Sequence, residues 1–313
     1  MMLQPRNPAE LTDALARANA GRERITGVDL RALNRVIEQA AEDMTVTVET
    51  GITLSALQTA LGRHRQWLAV DPPNPDTVSI ADVINRNISG PRRFGLGTIR
   101  DYLIGITVAM ADGSLVHSGG KVVKNVAGYD LMKLFIGGQG TLGIPVEATF
   151  KLRPLPEVEQ FIEASCESLE KAGALIEAIM QSEVTPVVLD LHNVGAGGSI
   201  KLMLVVGFAG TREEVAWQLK KVAGLGLSQP SSLNHEATFW SAGVDANRLS
   251  VLPSKLVEAL KGLGGAPFVA RAGNGVIYHR GDQPPAADKP PVELMRRVKD
   301  AYDPNHIFPE FAA

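Results

Sequence analysis

Twelve of the 31 glycines fall between residues 83 and 153, interleaved with short apolar runs at 102–111 and 146–152. Glycine inside a helix costs about 0.5–1 kcal/mol relative to alanine, so a stretch this rich in it cannot be one long helix. It reads as short strands joined by tight turns. The same stretch carries nine Lys/Arg against four Asp/Glu, in a chain whose formal net charge is −3. Such a segment suits an anionic ligand approached closely by backbone. A tightly turned β region with a solvated basic face has the same composition.

The rest of the composition narrows the class. At 313 residues the chain is twice the ~150-residue prior for one domain, which predicts two. With 45% hydrophobic and 21% charged residues it is an ordinary globular sequence, and its near-neutral charge argues against a nucleic-acid binder. Cys166 is the single cysteine, so an intrachain disulfide, a four-cysteine zinc site and a self-contained iron–sulfur cluster are excluded. The six histidines show no metal-binding spacing, so no metal is expected. Its longest apolar runs are about ten residues, against the ~20 of a spanning helix. Residues 1–7 lack a secretory core, so the expected location is cytoplasmic, with any membrane association through partners.

Local signals order the chain. Asn7-Pro8 opens a helix that Gly21 closes. Residues 45–50 alternate polar and β-branched side chains as a strand does, and Thr53 caps a helix at 54–61. Three prolines make 71–76 a rigid loop. Strands are expected at 104–109 and 114–116 around the turn Asp112-Gly113, and at 146–152. A boundary at 153–157 divides residues 1–153 from 157–313. Beyond it come strand 158–164, helix 167–181, strands 187–193 and 200–208, and helix 212–222. That order predicts an antiparallel sheet with helices on one face. A strand at 248–252, a helix at 254–263, a strand at 268–271 and a tail helix at 292–302 follow.

Three blocks carry chemistry: Ser89-Gly90-Pro91-Arg92-Arg93-Phe94-Gly95-Leu96-Gly97-Thr98-Ile99-Arg100, then Lys124-Asn125-Val126-Ala127-Gly128-Tyr129-Asp130, then Gly137-Gly138-Gln139-Gly140-Thr141-Leu142-Gly143-Ile144. Each places small residues and backbone donors around one or two charges, which lets main-chain N–H groups reach a phosphate or a flat ring. In order and spacing they resemble the GlcE-like family, the FAD-binding subunits of bacterial glycolate oxidases, among the vanillyl-alcohol-oxidase-type FAD-linked oxidases. The resemblance covers about 28–153, with the closing motif Tyr302-Asp303-Pro304-Asn305-His306-Ile307-Phe308 behind it.

The resemblance implies an α+β chain. A two-subdomain, PCMH-type FAD-binding domain would be followed by an α+β cap domain with an antiparallel sheet, the tail helix returning to the first domain. It implies non-covalent FAD, a small 2-hydroxy-acid substrate such as glycolate, and a multisubunit oxidase containing a second flavoprotein and an iron–sulfur subunit. Carried over by position, the residues toward the cofactor are Pro73, Ser79, Ile80, Ala81, Asn87, Ser89, Gly90, Gly97, Arg100, Lys124, Asn125, Tyr129, Gly140, Thr141, Gly143 and Ile144. No catalytic base stands out. His279 is a weaker candidate for reaching the cofactor from the cap, or an ordinary strand histidine.

The sequence also departs from that pattern. Only Arg22-Glu23-Arg24-Ile25-Thr26-Gly27 separates the first helix from Val28, too few residues for the family's glycine-rich diphosphate loop. The second phosphate contact reads Ser79-Ile80-Ala81-Asp82, with Asp82 where the family has glycine. At ~4 Å and an effective dielectric of ~20, that carboxylate would repel a phosphate by about 4 kcal/mol. The expectation is that replacing Asp82 by glycine strengthens flavin binding. The alternative function is a flavin-free assembly subunit that keeps the fold.

Overall fold

The computed structural model describes residues 1–120, 130–194, 201–241, 246–282 and 291–311. The chain is α+β and divides into two compact units. The first comprises residues 1–89, 97–155 and 288–313; the second comprises 90–96 and 156–287.

The first unit is built on a five-stranded antiparallel sheet, in the order Val36–Ala40, Thr45–Glu49, Ile144–Lys151, Leu103–Ala109 and Leu115–Gly119. Its central strands are buried along most of their length. At the start of the chain, Met2–Leu3 pairs in parallel with Gly27–Val28. The connection is the helix Pro8–Gly21, with Asn7 Oδ1 accepting from the Glu10 N–H at 2.9 Å as its cap. Leu11, Leu15 and Ala18 bury one stripe of it with Leu3, Leu30, Ala109, Val146, Ile307 and Phe308. The expected helix after Thr53 runs over Leu54–Gly62. Residues 79–82, the expected second phosphate contact, open a helix, Ile80–Arg86, capped by Ser79. Ile80 and Val83 are fully buried.

The second unit is a seven-stranded antiparallel sheet, ordered Gln229–Ser231, Val158–Cys166, Leu202–Gly210, Val188–His192, Phe268–Arg271, Val276–His279, Asn247–Ser250. The helices Leu169–Gln181, Arg212–Ala223 and Leu256–Lys261 pack with Leu189, Leu191, Leu204, Val206 and Phe208 in one core. Side chains alternate across a strand, so Asp190, His192 and Val269 fall on the other face. There the short helix Asn234–Trp240 packs, with Phe239 against Val269, Val276 and Tyr278. Helices therefore lie on both faces, which corrects the expectation of one. A seven-residue helix is too short for its period to stand out from flanking loops.

Candidate functional site

A cleft of about 680 Å³ lies within the first unit. Its wall comes from the segments 27–31, 51–53, 76–85 and 139–144, closed by Phe308 and Pro309 of the tail. Close approach of two backbones builds the floor. A Cβ at Gly51 would sit 1.8 Å from the carbonyl oxygen of Leu30, so only glycine fits there. On the opposite segment Gln139 and Gly140 both have left-handed backbone, with φ of 53° and 70°. Gly137 N donates to Ile84 O at 2.9 Å and Gln139 N to Asn85 O at 2.8 Å, which ties this turn to the helix Ile80–Arg86. Gly140 N–H makes no hydrogen bond among the described residues, which leaves it free to donate to a ligand.

A buried ion pair holds the tail in place. Lys299 Nζ lies 2.5 Å from Asp303 Oδ2 and donates to the carbonyl oxygens of Thr141 (2.9 Å) and Phe308 (3.3 Å). Asp303 in turn accepts from the N–H groups of Ile307 and Phe308. One ammonium thereby joins both the 139–144 segment and the tail that line the cleft.

The cleft's electrostatics are acidic. Its charged lining residues are Asp29, Asp76, Asp82 and Arg31. Arg31 grips Asp29 through Nε and Nη2 at 2.5–3.0 Å, and those hydrogen bonds lower the Asp29 carboxyl to about 2. Asp76 is exposed, and its side chain has no partner among the described residues. Asp82 folds back on its own helix: its Oδ2 accepts from Ser79 N at 2.9 Å and Ser79 Oγ at 2.6 Å, while Asp82 N donates to Ser79 Oγ at 3.1 Å. That is a capping box. The other N–H groups at this helix start are engaged as well, Ile80 N with Ile52 O and Ala81 N with Thr50 O.

Of the residues expected near a cofactor, Ser79, Ala81, Gly140 and Ile144 line this cleft. Pro73, Ile80, Asn87, Ser89, Gly97, Arg100, Thr141 and Gly143 do not. Ile80, Ser89, Thr141 and Gly143 are buried, Asn87 is the left-handed C-cap of the helix, and Arg100 donates to Lys133 O at 3.3 Å. Gly90 belongs to the second unit. Lys124, Asn125 and Tyr129 lie outside the described residues. Asp29, Arg31, Gly51, Asp76, Asn85, Gln139 and Phe308 were not expected. Gln139 lies in the block 137–144 and Phe308 in the closing motif, both signalled through resemblance alone.

A second polar cluster lies inside the second unit. Arg271, with no exposed side-chain surface, donates to Asp190 Oδ2 (2.6 Å) and to both oxygens of Glu236 (2.7 Å). His235 Nε2 lies 3.2 Å from Asp190 Oδ2, and the ring of His192 stacks on His235 at 4.4 Å. Asp190, His235 and Glu236 are spaced as metal ligands are, but the two carboxylates here hold the Arg271 guanidinium. His279 is fully buried in a strand flanked on both sides. Burial lowers its pKa. Among the described residues no helix is long and apolar enough to cross a membrane.

Tested against FAD, the first unit gives a divided answer. The cleft's size, its tight backbone approach at Gly51 and the free Gly140 N–H suit the uncharged length of the cofactor. Among the described lining residues the diphosphate has no free cation or helix N–H to meet, and it faces three carboxylates.

Comparison with known proteins shows what the chain is similar to. Residues 13–119 match the FAD binding domain family FAD_binding_4. Over 209 residues the chain is 32% identical to the glycolate oxidase subunit GlcD of Bacillus subtilis, covering 62% of this chain and 44% of that protein. It is 29% identical over 157 residues to the glycolate oxidase subunit GlcE of Escherichia coli (49% and 45% covered). It is 35% identical over 133 residues to a D-lactate dehydrogenase of Archaeoglobus fulgidus (42% and 28%). The matches thus span less than half the length of each of these relatives. Among solved structures, alkyldihydroxyacetonephosphate synthase superposes on 98% of this chain and 75% of its own, with a TM-score of 0.77 at 14% identity, which shows a shared fold. Residues 13–119 accordingly match an FAD-binding domain, and the chain is similar to FAD-linked oxidases and dehydrogenases.

Proposed function

We propose that this chain is the FAD-domain subunit of a multisubunit oxidase or dehydrogenase acting on a small 2-hydroxy acid such as glycolate or lactate. It binds the flavin non-covalently in the cleft of its first unit, alongside a second flavoprotein subunit and an iron–sulfur subunit. Bound flavin supplies the two-electron acceptor for oxidation of the hydroxyl carbon. The single observation that carries the reading is the cleft between Gly51 and Gly140, inside the unit that holds the match to the FAD-binding family. Likeness to two glycolate oxidase subunits and to D-lactate dehydrogenases supports the substrate class. With one cysteine in the chain, an iron–sulfur cluster would have to come from another subunit.

The test is purification of the chain with its partner subunits, followed by anaerobic addition of glycolate or D-lactate. The expected result is a yellow complex whose flavin is bleached, with flavin recovered from this chain after the subunits are separated. The acidic cleft favours a second reading, an assembly subunit without flavin. A complex that bleaches but releases flavin from the second flavoprotein alone would establish that reading and overturn the first.

A further inference from the structure

The cleft wall holds three carboxylates and one guanidinium, and that guanidinium is spent on one of the three. Asp29 comes from one stretch of the wall and Asp76 and Asp82 from another, so the negative charge is not a single local ion pair. The usual remedy for a phosphate, a helix start with unsatisfied N–H groups, is closed here. Ile80 N, Ala81 N and Asp82 N already donate to Ile52 O, Thr50 O and Ser79 Oγ, and the carboxylate of the first turn satisfies Ser79. The segment that could have carried a glycine-rich loop, residues 22–27, is six residues long and runs into the strand Gly27–Val28. By contrast, the Gly140 turn offers a free N–H to a neutral group.

We infer that the cleft, as its described residues build it, discriminates against the diphosphate of a dinucleotide, so that a flavin lacking phosphate binds at least as tightly as FAD. The inference rests on the reading of the cleft as a flavin site and concerns its selectivity. Tight retention of FAD then requires positive charge from beyond the described cleft lining.

The experiment measures binding of riboflavin and of FAD to the full chain by equilibrium dialysis, at low and high salt, with wild type and Asp76→Asn. Asp76 is exposed and unpartnered among the described residues, so its replacement leaves the fold intact. Raising the salt from about 0.01 M to about 1 M shortens the screening length from ~30 Å to ~3 Å. The expected results are riboflavin binding no weaker than FAD, FAD binding severalfold tighter at high salt, and riboflavin indifferent to salt. Asp76→Asn should tighten FAD roughly threefold to tenfold at low salt, ~0.7–1.4 kcal/mol, and leave riboflavin unchanged. FAD binding at least tenfold tighter than riboflavin and weakening with salt would overturn the inference while leaving the flavin site standing. Binding of neither flavin would overturn both.

Discussion

Lys299 and Thr141 are joined by a hydrogen bond across 158 positions of sequence, ammonium to carbonyl oxygen at 2.9 Å. Thr141 follows the cleft-lining Gly140, and Lys299 sits one helical turn before Asp303, whose carboxylate orders the backbone leading into Phe308. Two walls of the cleft therefore depend on one buried cation, and the tail segment is a structural member of the site.

Replacing Lys299 with methionine leaves the Asp303 carboxylate buried without its partner. Breaking a buried pair from one side typically costs about 3–5 kcal/mol. The double replacement Lys299→Met with Asp303→Asn should recover a substantial part, because a neutral amide can still accept from one of the N–H groups of Ile307 and Phe308. Urea unfolding of the two variants checks this, and equal losses would show that charge burial is not the main term.

At the helix Ile80–Arg86 the structure gives Asp82 a second role, as half of a capping box. Asp82→Gly removes half of the capping box as well as a charge, so its first effect is on stability. A loss of about 0.5–2 kcal/mol is expected for Ser79→Ala and a comparable one for Asp82→Gly. Asp82→Asn keeps an acceptor and should retain most of the cap. Thermal unfolding ranks the three.

His192 sets a pH dependence. Burial, with a smaller contribution from neighbouring His235, lowers its pKa to about 4, against an ordinary 6.5. The unfolded chain takes up a proton through pH 6.5 while the folded chain resists until about 4, so stability falls as pH drops across that window and is full above it. The contribution is on the order of 3 kcal/mol. Unfolding midpoints measured from pH 7 to 4 should flatten in His192→Gln over this range; an unchanged slope would place the titration elsewhere.

Arg271 is not interchangeable with lysine. Its fork reaches Asp190 through one nitrogen and both oxygens of Glu236 through two, a geometry that a single ammonium cannot reproduce. Arg271→Lys should destabilise by about 1–3 kcal/mol through the bonds left unmade. Guanidinium unfolding reads the loss, and a value near zero would show that water replaces the missing donors.

Much of the secondary structure was legible because local rules govern it. Asn7-Pro8 and Thr53 mark helix starts that the structure reproduces, and the turn at Asp112-Gly113 joins the strands Leu103–Ala109 and Leu115–Gly119. The misses are where local signals compete. Ser79-Ile80-Ala81-Asp82, matched by position to a phosphate contact, is also a capping box, and the buried Ile80, Val83 and Ile84 anchor the helix it opens. The helix Asn234–Trp240 and the strand Val276–His279 were too short to stand out.

What the sequence by itself determined was the α+β alternation, the family resemblance of its glycine blocks, and the shortage of residues for a phosphate loop between Gly21 and Val28. Those are properties of order and spacing along the chain. The lining of the cleft was decided only by the tertiary structure, because Asp29, Asp76, Gly140 and Phe308 meet there from distant segments. So was the fate of individual charges: Arg31 on Asp29, Asp82 on Ser79, Lys299 on Asp303. A charge's effect depends on distance and burial, and neither is set until the chain has folded.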